Sequence, residues 1–460
     1  MVAFKKKALR CKSRKEKIVF EKFDVGAVEK AGVCSAVRAK NCDTLSGALK
    51  TGVGMEELLL ENDVKVDFIV TEDVRALFLW ETVGENALFE KTVGAITADG
   101  CVWFFNMAVN SWQLIQRFDV PMRAISARNQ EGENLLILYG ETGVFACVYL
   151  GELKKIYPYE TGAACVYGGR LFLAVDGKKI VYSAPYDPTD FAASIDDGGA
   201  VELPSDWGKI VEIVSFQNEV CILYEYGLGV LKIAGSAREF KFEKIGYGGG
   251  KIFEHSAGVC SVDGEKLFFL AEDGVYVFDG TRAKKCCENL SIQPIGHTQV
   301  CSHAQFDGKY FVSFIDKSGE KKGIVVDAES GKGYESFVPF GLSSSLGEAL
   351  CSGMGYVCKL KASGQLPETE TAEFYVEKLR FGGGEKTLLH GLRFFGKGTI
   401  EVVARCGEHS KGKTLSFENG EIYLPLRLRG REFSFQIRLD AGAEIWKLEA
   451  ETETLLSVGK

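Results

Sequence analysis

The sequence is poor in proline, with 9 in 460 residues, and poor in methionine, tryptophan and histidine, with 5 of each. No run of about 18 apolar residues occurs, so no membrane-spanning helix is expected. The opening stretch MVAFKKKALRCKSRKEK is basic but lacks the apolar centre of a secretion signal. It reads as an extended arm, a contact strap rather than a nuclear address. None of the 14 cysteines forms a Cys-x-x-Cys pair. Most fall inside strand-like apolar runs, as Cys147 does in FACVYL, Cys221 in NEVCIL and Cys260 in GVCSV. A buried thiol there behaves as a small hydrophobe, which fits folding in a reducing cytoplasm and argues against a disulfide framework. Sustained helical periodicity is missing too. The net charge of −8 comes from acidic and basic residues mixed along the chain, without the concentrated basic face of a conventional nucleic-acid binder.

What the chain has is glycine, 53 of them, and 46% hydrophobic residues, enough for a large core. Short apolar runs recur, each followed by a glycine turn and a second apolar run. The clearest copy is SVDGEKLFFLAEDGVYVFDG (Ser261 to Gly280), read as strand KLFFL, tight turn EDG and returning strand VYVF. Asp-Gly there supplies the positive φ of a two-residue hairpin. Similar runs begin at Arg75, Cys101, Asn134, Arg170, Glu219, Lys266 and Lys309. The later spacings suit four short strands per unit, whereas the first ones are compressed. A four-stranded apolar sheet cannot cover both its faces alone, and stacking around an axis covers them while leaving only short edges. The expectation is an all-β chain: an N-terminal arm with first strands over 1–54 and a six- or seven-bladed β-propeller over 55–345. A Gly- and Ser-rich linker follows over 346–372, then a C-terminal antiparallel β-sandwich over 373–460. A pair of ordinary β-sandwiches is the alternative for the middle of the chain.

The segment VYSAPYDPTDF (Val181 to Phe191) offers Ser183, Asp187 and Asp190 as possible catalytic or metal-binding groups. Pro185 and Pro188 fix φ and remove two backbone donors, so the segment cannot continue a ladder. Without a nearby acidic or histidine cluster it reads as a stiff turn leaving a blade, pinned by Phe191. SIDDGGAVELP lacks the spacing of a calcium loop.

Other constellations are weighed the same way. His297, Cys301 and His303 are spaced as a conceivable zinc set, but no second ligand pair lies nearby in sequence. His255 reads as a strand-edge residue, and His390 and His409 as residues without acidic partners. GLSSSLG (Gly341 to Gly347) reads as a flexible serine run and no nucleophile elbow. GYGGGKI (Gly246 to Ile252) has the wrong spacing for a phosphate loop and reads as a crossing between blades, and FGGGEK (Phe381 to Lys386) as a hairpin turn. Arg427, Arg429 and Arg431 alternate along one strand and share a face, with Leu426 and Leu428 opposite. That row is either a solvated face or a subunit contact for carboxylates. No catalytic residue, cofactor or metal is expected.

The Tyr-Ser…Pro-x-Asp-Pro-x-Asp-Phe string of Tyr182 to Phe191 resembles a segment of the tail nozzle, or tail-hub, propellers of short-tailed bacteriophages. Two more segments are similar to that family: Gly26 to Met55, with Gly47, Leu49 and Gly54, and Tyr423 to Leu439, with its Leu-Pro-x-Arg-x-Arg-Gly-Arg pattern. They occur in the family's order along the chain. The chain departs from the family in being short, in lacking an inserted tip domain and in its many cysteines. The resemblance implies a non-enzymatic structural protein of the virion tail, assembled in the host bacterial cytoplasm. Its copies would form a homo-oligomeric ring, a hexamer, next to the portal and head–tail adaptor, with DNA passing through the lumen unread. The alternative is a propeller that binds glycans or processes glycosides, with ligands held at the mouth of its channel; a scaffold for host proteins is a third reading.

Overall fold

The computed structural model describes residues 12–25, 33–60, 63–67, 74–83, 89–148, 151–192, 198–233, 240–288, 290, 302–316, 318–353, 355–362, 365–381 and 385–456. All regular structure among them is β-strand apart from isolated turns. No helix there is long and apolar enough to cross a membrane, which says nothing about a strand-built pore. The chain divides into two compact units, one of residues 55–333 and 337–367, the other of 1–54, 334–336 and 368–460.

In the first unit the chain meanders repeatedly into small antiparallel sheets. Blade 1 has strands Val74–Val83, Phe89–Thr97, Cys101–Asn106 and Ser111–Arg117; blade 2 has Arg123–Arg128, Asn134–Gly140, Gly143–Cys147 and Lys154–Tyr157. Blade 3 has Thr161–Tyr167, Arg170–Val175, Lys179–Tyr182 and Gly199–Glu202; blade 4 has Ile210–Phe216, Glu219–Tyr224, Gly227–Lys232 and Lys241–Ile245. Blade 5 has Gly258–Ser261, Glu265–Ala271, Gly274–Phe278 and Ala283–Lys285. Within this unit blade 6 contributes three strands, Ser302–Phe306, Lys309–Ile315 and Lys321–Asp327. Blade 7 takes Phe340–Ser345, Glu348–Gly353 and Tyr356–Lys361, and its outer strand is Gly54–Glu57 from the far end of the chain. Six blades of four strands and blade 6, with three of its strands in this unit, therefore stand in one series.

The series closes on itself. The first strand of each blade packs on that of its neighbours, and the first strand of blade 7 packs on that of blade 1. This is a β-propeller. Between successive blades lie separate apolar clusters, such as Phe172, Ile180, Ile213 and Ile222 between blades 3 and 4. Phe268, Val275, Tyr310 and Val326 fill the layer between blades 5 and 6, and Leu77, Val93, Leu350 and Val357 the one between 7 and 1. These side chains come from both faces of the central strands, which is why the runs read as continuously apolar rather than alternating.

Three expectations are corrected here. Residues 346–372 are no linker: serines and glycines of this stretch belong to the strands of blade 7. GLSSSLG is part of that blade's first strand and turn, where Ser343 Oγ accepts from Leu77 N at 3.1 Å and Ser345 Oγ from Leu79 N at 2.9 Å. A hydroxyl that bridges to a neighbouring strand lets serine serve where an apolar residue was expected. The early spacings are compressed because Arg75 and Cys101 both belong to blade 1, in its first and third strands. The Asp-Gly mechanism also sits elsewhere than predicted. In blade 5 Ala271 pairs with Gly274, so Glu272 and Asp273 form the loop and Gly274 reopens the strand at φ +142°. Turns with two positive φ values lie between first and second strands at Asp307–Gly308 (φ +44° and +69°) and Gln217–Asn218 (φ +48° and +61°), and between second and third strands at Asp176–Gly177 (φ +52° and +66°) in blade 3.

The second unit is one large, mostly antiparallel sheet. Its centre is a long hairpin, Thr387–Cys406 with His409–Gly430. On the other edge of Thr387–Cys406, its first half pairs with Glu444–Leu456 and its second half with Phe433–Leu439. The switch falls at a bulge between Gly396 and Gly398, where Gly398 has φ +89°. The hairpin doubles over there, since Cys406 Sγ fills the space a side chain on Gly430 would need. The expected sandwich is thus a single sheet folded on itself. It also recruits the chain start: Lys12–Phe20 pairs with Glu444–Leu456, so from Lys12 onward the basic arm is a strand of its own sheet. Residues 1–11 and 26–32 lie outside the described residues.

Candidate functional site

Two places bring chemistry together, one in each unit. In the propeller, the first strands of the blades line the axis, and four of them carry or lead from a polar side chain at their beginning. Arg123 opens the first strand of blade 2, and Tyr139 stands opposite it in register. Glu212 is the third residue in that of blade 4, and His303 the second in that of blade 6. His255 precedes blade 5 by three residues and holds φ +63°, a left-handed conformation that costs a non-glycine residue about 1–2 kcal/mol. Because the meander repeats, all these strands start at the same end of the axis.

Glu212 is buried in a strand otherwise apolar on either side, IVEIVSF. Its Oε2 accepts from the His255 backbone N at 3.1 Å and lies 3.3 Å from His255 Nδ1. On the far side of the ring His255 Nε2 is 3.7 Å from Glu254 Oε2. Burial opposes ionisation of Glu212, but the hydrogen bond from His255 and the nearby His255 and Arg123 outweigh it and hold the carboxyl below the usual range. Burial likewise pushes the His303 imidazole down, so it stays neutral. A neutral ring must donate from Nδ1 to the His255 carbonyl oxygen at 2.9 Å, which leaves Nε2 as an acceptor. Burial pushes the Tyr139 hydroxyl up to about 12, opposed by Arg123 beside it. Gly258 has no side chain because His303 and Gln305 fill the space one would occupy. Gln305 Nε2 is buried there without a hydrogen-bond partner among the described residues.

Sequence reasoning missed Glu212, Arg123 and Tyr139, and placed His255 as a strand edge. The signal was a lone carboxylate in an apolar strand. Of the conceivable zinc set, His297 and Cys301 lie outside the described residues, and His303 is engaged by the His255 carbonyl. No group of three metal-ligating side chains is gathered among the described residues. A separate cavity of about 230 Å³ lies between the first strands of blades 1, 2 and 7, lined by Phe78, Ile125, Leu136, Ser344 and Leu346 among others.

The VYSAPYDPTDF segment is the turn it was read as. Ser183 is buried, with Oγ accepting from Leu171 N at 3.0 Å, and Asp187 Oδ1 caps Thr189 N at 3.0 Å. Phe191 packs against Tyr157 with ring centroids 5.0 Å apart.

In the second unit the arginine row is partly as expected. Leu424, Leu426 and Leu428 are buried and Arg427 and Arg429 exposed, so the alternation holds. Arg431 is exposed but lies past the strand end at Gly430. Arg427 sits in a bulge, where Leu426 and Arg427 together oppose His390, and has φ +57°. No described carboxylate pairs with any of the three. Two other arginines of the sheet are paired: Arg393 with Glu421 at 2.8 Å and Glu451 at 3.4 Å, Arg438 with Glu373 at 2.7 Å and Glu401 at 3.2 Å. His390 has an acidic partner after all, Glu453 at 3.0 Å across the sheet. The strand His409–Gly430 pairs along one edge, and no described strand pairs with its other edge.

No family model matches the chain, and no curated protein matches it. Among solved structures it is similar to virginiamycin B lyase from Staphylococcus aureus, at 12% identity and TM-score 0.44, over 67% of this chain and 99% of that one. It is also similar to U3-55K, at 9% identity and TM-score 0.41, over 67% and 98% of the two chains. The WD40 propeller domain of Doa1 is similar at 10% identity and TM-score 0.40, over 67% and 96%.

Proposed function

We propose that the protein is a non-enzymatic structural component of a short-tailed phage virion, a ring-forming nozzle or hub of the tail. The observation that carries this reading is the exposed face of Arg427, Arg429 and Arg431, unpaired beside a strand edge with no described partner. A free edge invites pairing with another chain unless something covers it. Arginines without carboxylates, in a sheet that pairs Arg393 and Arg438 with glutamates of its own, suit a carboxylate-bearing neighbour. The three resembling segments supply the identity of the assembly, which neither surface could. In this reading copies close into a ring, a hexamer as the resemblance implies, against the portal and adaptor. DNA crosses the lumen without being read, and the particle is built in the host cytoplasm. An overall charge of −8 is compatible with passage, because each basic contact to phosphate adds affinity that would slow it.

Light scattering on the purified chain, alone and with portal complex, tests the proposal together with negative-stain imaging. A ring of copies of the 50.4 kDa chain is expected, and replacing the three arginines by glutamate should leave a folded protein that no longer assembles. A strictly monomeric protein in both samples sinks the reading. So does hydrolysis of a glycoside.

A further inference from the structure

We infer that the end of the propeller axis where the first strands begin is a binding site for a small hydroxylated carboxylate, an acidic monosaccharide, held by Arg123, Tyr139 and Glu212. The inference is independent of the ring reading, since it concerns a different unit and different residues. Its basis is convergence: side chains from blades 2, 4 and 6 and from the lead-in to blade 5 meet there although they are far apart in sequence.

The polar inventory sets the ligand's chemistry. Arg123 lies near enough to Glu212, His303 and Tyr139 to influence all three, yet no described carboxylate is within ion-pair distance of it. The guanidinium gives one hydrogen bond to the Tyr139 hydroxyl, and its remaining N–H groups, with no described carboxylate on them, are a receptor for a carboxylate. Glu212 presents the opposite requirement. Its Oε2 is taken by His255, and no described group donates to its Oε1, so it offers an acceptor to a ligand hydroxyl. His303 Nε2 is a second acceptor, and the unpartnered Gln305 Nε2 a further donor. The fixed polar groups are held in place from behind: His255 is locked by two contacts to Glu212, and His303 by the His255 carbonyl. An inorganic anion would satisfy Arg123 and leave Glu212 facing it with like charge. A neutral sugar would satisfy Glu212 and leave Arg123 without a carboxylate. A ligand carrying both groups satisfies both.

The experiment is an isothermal titration of the full chain at neutral pH with D-glucuronate, and in parallel with glucose and with acetate. Saturable binding of glucuronate is expected in the range of about 1 mM or tighter, with glucose and acetate each at least about tenfold weaker. Arg123→Gln should weaken glucuronate binding by about tenfold or more, as removal of a charged hydrogen-bond donor does, while circular dichroism stays native. Tyr139→Phe, which keeps the ring, should give a smaller loss in the same direction. No saturable glucuronate binding overturns the inference, as does equal affinity for acetate alone or glucose alone. Should Arg123→Gln fail to fold, the phenylalanine variant carries the test, and an unchanged affinity there overturns it too.

Discussion

Glu212 and His303 show how single residues make the propeller's stability depend on pH. The His303 imidazole is held down by burial, so in the folded protein it resists a proton that the unfolded chain accepts near its ordinary value. The unfolded state therefore binds more protons as pH falls through about 6.5, and stability falls with it. Glu212 adds in the same direction at lower pH: its depressed carboxyl contributes stability above its unfolded value, lost as pH drops through the folded one. Melting temperature should decline from about pH 7.5 to about pH 5, and a His303→Gln variant should flatten the upper part of that slope. An identical slope in the variant would place the effect elsewhere. Arg427 gives a prediction of a different kind. Its left-handed backbone, φ +57°, means that Arg427→Gly should raise stability by about 1 kcal/mol in chemical denaturation while weakening ring assembly. At this scale the sequence was legible only for patterns along one strand. Leu424, Leu426 and Leu428 against Arg427 and Arg429 follow from a period of two, but the bulge at Arg427 does not. Glu212, Arg123 and His303 are 180 residues apart end to end in sequence, 303 less 123, and only ring closure unites them.

At the scale of elements, the second strands of blades 2 to 6 were readable because central strands are buried on both faces and carry runs such as NLLIL, RLFLA, EVCIL, KLFFL and KYFVS. Blade 7 was not, because its second strand, EALCSG, mixes serine and glycine into the run and its first strand, FGLSSS, ends in three serines. Ser343 and Ser345 bridge to the backbone of Leu77 and Leu79, satisfying groups that a plain apolar strand would leave to other partners. Replacing both serines by alanine removes those partners at the junction of blades 7 and 1. Each unsatisfied buried group costs about 1–3 kcal/mol, so a loss of about 2–4 kcal/mol is expected by urea denaturation. A change under about 0.5 kcal/mol would show that the serines are incidental. The doubled-over hairpin of the other unit escaped sequence reading for a related reason. Gly396 and Gly398 mark a fold in the strand, but a glycine pair in sequence is equally compatible with a turn.

For the whole molecule, the informative fact is that the ring is closed by a strand from outside its own run of sequence. Gly54–Glu57 completes blade 7, whose other strands end some 300 residues later at Lys361. A meander alone would leave blade 7 three-stranded with an open edge, and the junction with blade 1 held by side chains only. Joining the two ends of the series makes each blade's packing conditional on the others, since no layer between blades can open without exposing both faces. Met55 is the residue on which this can be tested. It is 2% exposed, its side chain fills the space above Gly353 in blade 7, and its backbone exchanges hydrogen bonds with Gln365. Met55→Leu keeps volume and should cost less than about 1.5 kcal/mol. Met55→Asp buries a charge and should cost about 3 kcal/mol or more. If closure couples the blades, the aspartate variant lowers the melting of the whole ring in one transition, and limited proteolysis cuts residues 337–367 no earlier than the middle blades. Early cleavage confined to 337–367, with the other blades melting as before, would mean that blade 7 is only appended to a self-sufficient stack.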